Sequence, residues 1–200
     1  MSKGFIPTPA DFQTVQDFKD EANWPLPYTA TVGLAPYIRR MKGDLTVVEL
    51  GTARGEGAVY LLDECPNIVS LIAVDQYKEY QDWNGLIEQA VLDQFESIAK
   101  INFSEYSKRV TVIRESTMDA LKNIPDDSVD VLFIDADHSE NAVYDDILFY
   151  YPKVKKGGIV AVHDTNLQSV VEATKKARES LKSRVPLNRV KNGVAFWYKN

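Results

Sequence analysis

The chain has two histidines, and each stands beside an aspartate directly after a short apolar run. His138 follows Asp135 and Asp137 in the segment FIDADH, and His163 precedes Asp164 in the segment IVAVHD. A histidine with a near-neutral pKa can accept a proton from a substrate, and carboxylate oxygens are preferred ligands of Mg²⁺. This set of side chains therefore suits general-base chemistry, either alone or with the help of a divalent cation.

The two apolar runs predict strands of one sheet. The segments Val129–His138 and Ile159–Asn166 are apolar until they reach their acids, and the spacing between them predicts an amphipathic helix from about Ser139 to Tyr150. Two strands joined by a crossover helix run parallel. Because open α/β sheets bind ligands at the carboxyl ends of their strands, we expect both histidines and their aspartates to face one crevice.

An earlier stretch, Thr46–Leu62, predicts a strand, a glycine turn and a helix. In an open α/β sheet this arrangement presents backbone N–H groups and a helix N-terminus to a nucleotide-like ligand. Gly51 allows the tight turn, and Gly55 allows close approach of backbone or ligand because it has no Cβ. The alternative is a purely structural turn, since glycines occur in many such connections.

The residues of this turn indicate which class of nucleotide ligand it could bind. A dinucleotide fingerprint, G-x-G-x-x-G, that begins at Gly51 requires glycines where this chain has Ala53 and Glu56. The lysine of a P-loop is also missing from the turn. The sequence therefore favours a nucleoside cofactor without phosphates. Asp75 ends the next apolar run at roughly the 20-residue offset that places an acid on ribose hydroxyls, although an exposed strand-end acid is the simpler alternative.

The remaining patterns complete an α/β fold. Val110–Arg114 predicts a third strand, and Leu167–Ser183 predicts a helix. Two strand patterns flank Asn192-Gly193, which is a strong signal for an antiparallel hairpin. The segment Gln76–Arg109 is interpreted as one amphipathic helix with flexible flanks.

Composition indicates one globular domain. The chain has 200 residues, of which 44% are hydrophobic and 26% charged. We expect an N-terminal helical extension over residues 1–45, with helices near Pro9–Glu21 and Leu34–Met41, and a Rossmann-like core over residues 46–200. The net charge of -6 argues against nucleic acid as a partner. With one cysteine, no signal-peptide pattern and no apolar run of membrane length, the sequence predicts a cytoplasmic protein with no membrane partner.

Three segments resemble one enzyme family. The segment ELGTARG resembles the first motif of class I S-adenosylmethionine-dependent methyltransferases, in the E-x-G-x-x-x-G form of small O-methyltransferases. FIDADHSENAVYDDI and GGIVAVHDTN are similar to the metal-dependent branch that includes macrocin and sugar O-methyltransferases. The resemblance implies a Rossmann-like, doubly wound, mostly parallel seven-stranded sheet. It also implies a C-terminal antiparallel hairpin and helices on both faces.

The resemblance also implies roles for individual residues. It implies that S-adenosylmethionine is bound by Glu49, Gly51, Thr52, Ala53, Gly55, Asp75, Ser116 and Asp135. It implies His138 as the base and a divalent cation, most simply Mg²⁺, on Asp135 and Asp164, and His163 completes the predicted metal set. The chain departs from the family at Thr165, where several relatives carry a third acid or an asparagine. The alternative is a hydrogen-bonded network of acids without a metal.

Three functions remain open from the sequence. The first is methyl transfer from S-adenosylmethionine to a hydroxyl of a small-molecule acceptor. The second is an NAD(P)-dependent oxidoreductase, and the third is a non-catalytic module that binds an adenosyl cofactor. The acceptor is not predicted, and the oligomeric state is open, with a homodimer as one way to complete the acceptor pocket.

Overall fold

The computed structural model of the protein describes residues 29–82 and 85–200. The predicted helix Pro9–Glu21 and the proline-rich stretch Trp24–Tyr28 lie outside these residues. The first described helix is α1 (Thr29–Ile38), which begins and ends earlier than the predicted Leu34–Met41.

The described strands form two sheets. They are β1 (Leu45–Leu50), β2 (Ile68–Val74), β3 (Tyr80–Asp82), β4 (Gly85–Ile87), β5 (Val110–Ile113), β6 (Val129–Ile134), β7 (Val154–Val162), β8 (Asn188–Arg189) and β9 (Ala195–Tyr198). The large sheet has seven strands in the order β5-β2-β1-β6-β7-β9-β8. Its first five strands are parallel, whereas β9 is antiparallel to both β7 and β8. The predicted fold class is therefore confirmed, including the C-terminal hairpin around Asn192-Gly193.

Helices cover both faces of the large sheet. Beyond α1 they are α2 (Glu56–Glu64), α3 (Gln89–Phe103), α4 (Thr117–Ala120), α5 (Glu140–Tyr150) and α6 (Gln168–Ser180). Alternate residues of a strand point to opposite faces, so Val47 packs into one core cluster and Val48 into the other. The first cluster contains residues of α1, α2 and α3, and the second contains residues of α5 and α6. None of the helices within residues 29–82 and 85–200 is long and apolar enough to cross a membrane.

The segment Gln76–Arg109 differs from its prediction as a single helix. An antiparallel pair, β3 and β4, precedes α3. The apolar spacing holds within α3, where Leu92, Ile98 and Phe103 are buried. The same spacing predicts Leu86 and Ile87 on that helical face, but they follow Gly85 in β4. Short apolar runs do not distinguish a strand from a helix, and a glycine lowers the helical preference further.

Candidate active site

A cavity of about 410 Å³ lies at the carboxyl ends of the five parallel strands. Every one of these strands is followed by residues that line it. They are Gly51 and Ala53 after β1, Asp75 after β2, Ser116 after β5, Asp135 and His138 after β6, and His163 and Asp164 after β7. The structure therefore brings both histidines and their aspartates to one crevice, as the sequence predicts. Glu49, Thr52 and Gly55, which were also predicted to bind the cofactor, are not among the lining residues.

The two glycines of the turn are needed for different reasons. Gly51 has φ +83°, and a Cβ there would lie 2.2 Å from the carbonyl oxygen of Asp135. This glycine therefore lets the end of β1 lie against the end of β6. A Cβ on Gly55 would lie 2.6 Å from the ring of Phe103. Gly55 thus makes room for a side chain of the protein.

Asp75 holds the glycine turn in place. Its two carboxylate oxygens accept hydrogen bonds of 2.9 Å from the backbone N–H groups of Ala53 and Tyr77. The Tyr77 hydroxyl in turn donates to the carbonyl oxygen of Ala53 at 2.8 Å. Burial raises the pKa of Asp75, and the two backbone hydrogen bonds oppose this rise. Each carboxylate oxygen still has a lone pair for a ligand hydroxyl, so this geometry is compatible with the predicted ribose contact.

A second acid, Glu49, lies near the end of β1, just before the glycine turn. Glu49 is only 3% exposed, and Thr52 Oγ1 donates a hydrogen bond of 2.5 Å to it. Burial raises the pKa of Glu49 to about 8, the hydrogen bond from Thr52 opposes the rise, and the negative charge of Asp135 adds to it. Glu49 is therefore mostly protonated at neutral pH.

His163 uses both ring nitrogens inside the protein. Its Nδ1 lies 2.9 Å from Asp135 Oδ1, and its Nε2 lies 3.1 Å from the carbonyl oxygen of Asn192. Both partners are acceptors, so the geometry fits a doubly protonated ring. Burial opposes the charged form, but the hydrogen bonds and charges of Asp135 and Asp164 outweigh it and raise the pKa of His163 to about 10. His163 is therefore a half-buried cation that joins β6, β7 and the C-terminal hairpin.

His138 contacts one of the two acids that His163 contacts. Its Nε2 lies 2.7 Å from Asp164 Oδ2. Burial alone would raise the pKa of Asp164, but the hydrogen bonds from His138 and His163 hold it well below its usual range. The cavity therefore contains an ionised aspartate that can orient His138 and stabilise its protonated form.

Three side chains are close enough together to share a metal ion. Asp135, His138 and Asp164 each offer one ligand atom, and these atoms lie within 4.8 Å of one another. The set predicted from the sequence had His163 in place of His138; in the structure both ring nitrogens of His163 lie within hydrogen-bond distance of protein acceptors. Two carboxylates and an imidazole fit the donor chemistry of a divalent cation. The side chain of Thr165, at the position of the family's third acid, donates instead to the carbonyl oxygen of Gly193 at 2.9 Å.

One lining residue was missed by the sequence reasoning. Asp146 lies on α5, is only 2% exposed and lines the cavity. The signal was present, because Asp146 shares the buried face of the helix with Val143, Ile147 and Tyr150. An acid in an apolar helical stripe indicates a buried polar group with a specific partner.

The comparisons with known proteins agree with this geometry. Residues 48–165 match a family model described as a methyltransferase domain. An uncharacterized protein of Acanthamoeba polyphaga mimivirus is 31% identical over 130 residues, which are 62% of this chain and 52% of that protein. The chain therefore spans about half the length of the curated relative that it matches.

Solved structures share the fold at low sequence identity. The O-methyltransferase NovP has a TM-score of 0.66 at 22% identity, over 84% of this chain and 79% of NovP. An O-methyltransferase from Bacillus cereus, solved in complex with SAH, has a TM-score of 0.63 at 17% identity, over 99% of this chain and 94% of that one.

The match to the family model extends from β1 to the residue after Asp164. It includes the glycine turn, Asp75, and the aspartates and histidines at the ends of β6 and β7. The match covers more than half of the chain, and the predicted family is confirmed: the protein belongs to the methyltransferase-domain family.

Proposed function

We propose that the protein transfers the methyl group of S-adenosylmethionine to a hydroxyl oxygen of a small-molecule acceptor. The observation that carries the proposal is the cavity itself. It brings an acid suited to ribose, Asp75, to the same sheet edge as the acid–histidine cluster of Asp135, His138 and Asp164. The bound adenosyl ligand of the similar Bacillus cereus enzyme supports this choice of cofactor.

The cofactor spans the strand ends in this proposal. The ribose hydroxyls bind Asp75, whose position is held by Ala53 and Tyr77. The methionine portion lies against the turn at Gly51, where the absence of a Cβ lets backbone and ligand come close. The methyl group on the sulfonium sulfur then faces the ends of β6 and β7.

The chemical step requires little beyond alignment and proton removal. The sulfonium already activates the methyl group, so the enzyme must place the acceptor oxygen in line and accept its proton. We assign that proton to His138, which the ionised Asp164 orients at 2.7 Å. Asp135 and Asp164 would hold a divalent cation. When bound, such a cation lowers the pKa of a coordinated hydroxyl.

A second cavity supports a small-molecule acceptor. It has a volume of about 500 Å³ and shares Tyr80, Asp137 and His138 with the first cavity. Its other lining residues are mainly polar and come from β3, the start of α5 and the start of α6. They are Gln81, Ser139, Leu167, Gln168 and Ser169. A hydroxyl-bearing molecule in this space would lie beside His138.

The proposal is tested by measuring formation of S-adenosylhomocysteine. The purified protein is incubated with S-adenosylmethionine and a panel of catechols, sugars and hydroxy acids, and the product is quantified by mass spectrometry. We expect at least one acceptor class to give product, and His138→Gln to reduce the rate by about 100-fold or more while cofactor affinity stays within about threefold. Unchanged turnover in His138→Gln would remove the base assignment. Cofactor binding without turnover on any acceptor would favour the non-catalytic module.

A further inference from the structure

Asp146 has a buried oxygen that the described residues leave without a partner. The residue is 2% exposed, and its Oδ1 has no hydrogen-bond partner within residues 29–82 and 85–200. The side chain of Thr117 satisfies the rest of the carboxyl group through a hydrogen bond. An unpaired buried acceptor costs free energy, and a ligand that supplies a donor recovers it.

The surroundings of Asp146 are hydrogen-bonded and belong to the main cavity. Ser116, Thr117 and Ala142 line the cavity beside it. Ser116 caps α4 by accepting a hydrogen bond from the backbone N–H of Asp119, and the Tyr150 hydroxyl donates to the carbonyl oxygen of Thr117 at 2.5 Å. The unpaired oxygen is therefore held in place before any ligand arrives.

The ionisation of Asp146 depends on its burial. Burial raises its pKa to about 7, the hydrogen bond from Thr117 opposes this rise, and the charges of Asp137 and Asp145 add to it. Above pH 7 the group is mainly a carboxylate, which only accepts hydrogen bonds.

The order of the strands places Asp146 relative to the cofactor. Asp135 and Asp164 follow β6 and β7, whereas Asp75 follows β2, which lies on the far side of β1. A cofactor with its sulfonium at β6 and β7 and its ribose at β2 continues toward β5, the outermost strand on that side. The cavity-lining residues after β5 are Glu115, Ser116 and Thr117, and the side chain of Thr117 hydrogen-bonds Asp146. The base of the nucleoside therefore falls at this end of the cavity.

We propose that Asp146 selects the base of the cofactor, with Oδ1 accepting a hydrogen bond from the exocyclic amine of adenine. This inference rests on the proposed function and adds a specificity-determining residue to it. A 6-oxopurine presents a carbonyl oxygen at the same position, so two acceptors would face each other and both would stay unpaired. Sites built to hydrogen-bond one group discriminate strongly against analogues that lack it, because buried polar groups are left unsatisfied.

The test compares two ligands that differ only in the base. S-adenosylhomocysteine and S-inosylhomocysteine are titrated calorimetrically at pH 8.0 into the wild type, Asp146→Ala and Asp145→Ala. Asp145 is the matched control because it is the neighbouring acid on α5 and does not line the cavity. We expect the wild type and Asp145→Ala to favour the adenosyl ligand by roughly 30-fold or more. In Asp146→Ala the preference should fall to within about threefold, mainly through loss of adenosyl affinity.

Two results would overturn the proposal while leaving the proposed function intact. One is a wild type that binds both ligands equally, a comparison that does not require any variant to fold. The other is an Asp146→Ala protein, folded by circular dichroism, in which both affinities fall by the same factor, because that is what support of Thr117 alone would produce. If Asp146→Ala does not fold, Asp146→Ser takes its place in the same comparison. If the wild type binds neither ligand, the proposed function itself fails.

Discussion

At the scale of single residues, the two histidines have separate tasks. His163 donates from both ring nitrogens, to Asp135 and to the carbonyl oxygen of Asn192, and so connects the site to the C-terminal hairpin. His138 Nε2 pairs with Asp164. The sequence pattern, a histidine beside an aspartate, is the same in both cases. The contact of His163 with the carbonyl oxygen of Asn192, which the sequence pattern does not reveal, distinguishes it from His138, the proposed proton acceptor.

The charge on His163 predicts a pH-dependent contribution to stability. Its folded-state pKa of about 10 lies above the ordinary value of 6.5, so the folded protein binds the proton more tightly than the unfolded chain does. The contribution is complete below pH 6.5 and is lost as the pH rises through 10. We expect His163→Gln to lower the free energy of unfolding by about 2 kcal/mol at pH 6 and by clearly less at pH 9.5, measured by urea unfolding. A difference that does not change between the two pH values would contradict the charged assignment.

The cluster of Asp135, His138 and Asp164 predicts a measurable affinity for Mg²⁺ or Mn²⁺. We expect calorimetric titration to detect binding to the wild type and to lose it in Asp135→Asn and Asp164→Asn, because each variant removes a charged ligand. Asp126→Asn is the control, since Asp126 pairs with Lys153 away from the cavity. His138→Gln should keep most of the metal affinity if His138 is the base. Loss of binding in that variant would make His138 a ligand and remove its assignment as the proton acceptor.

At the scale of elements, the turn between β1 and α2 determines how closely the strands meet. Gly51 has the left-handed φ of +83°, and the carbonyl oxygen of Asp135 occupies the space that a side chain would need. Gly43 has nearly the same φ, +85°, but a Cβ added there would have no atom of the described residues within 4 Å. Alanine at position 43 therefore measures the cost of the left-handed backbone alone. Alanine at position 51 adds the cost of the clash between the new Cβ and Asp135.

The comparison of these glycines gives a quantitative prediction. Gly43→Ala should cost about 1 kcal/mol of unfolding free energy, which is typical of a left-handed residue that gains a Cβ. Gly51→Ala should cost at least about 2 kcal/mol more and should weaken cofactor binding, because β1 and β6 must move apart. Urea unfolding gives the unfolding free energy of the two variants, and calorimetry gives their cofactor affinity. Equal losses of unfolding free energy would mean that the clash with Asp135 adds no cost at position 51.

The elements also show what could be predicted from the sequence. The strands β1, β6 and β7 are identifiable because their apolar runs are continuous and end in acids, and the C-terminal hairpin is identifiable from Asn192-Gly193. The pair β3 and β4 was missed because its apolar residues continue the helical spacing of α3. Asp146 was missed for a different reason. Its role depends on the approach of α5 to Thr117, which is a tertiary contact that local spacing does not encode.

At the scale of the whole molecule, the cavity joins both halves of the sheet. The residues that line it follow all five parallel strands, and the two core clusters lie on opposite faces of those strands. A ligand that fills the cavity would contact residues that follow every parallel strand of the described sheet. Its binding is coupled to global unfolding, because the unfolded chain has no such cavity.

This coupling predicts a thermal shift. At a concentration about 100 times its dissociation constant, S-adenosylhomocysteine should stabilise the folded state by about 2.7 kcal/mol. For a chain of this size the melting temperature should rise by roughly 5–10 °C, measured by calorimetry or dye fluorescence. Homocysteine alone is the control, since it lacks the nucleoside that reaches Asp75. An equal shift with homocysteine would contradict a nucleoside site.

The most direct measurement is a calorimetric titration of the wild type and Asp75→Asn with S-adenosylhomocysteine, with NAD as the comparison ligand. The account predicts that the wild type binds the adenosyl ligand and does not bind NAD. In Asp75→Asn the affinity should fall by about 10-fold or more. The substitution removes the charged carboxylate that accepts hydrogen bonds from the backbone of Ala53 and Tyr77 and, in this account, from the ribose hydroxyls. Binding of NAD in place of the adenosyl ligand, or no binding of either, would contradict the assignment of the cavity as a methyl-donor site.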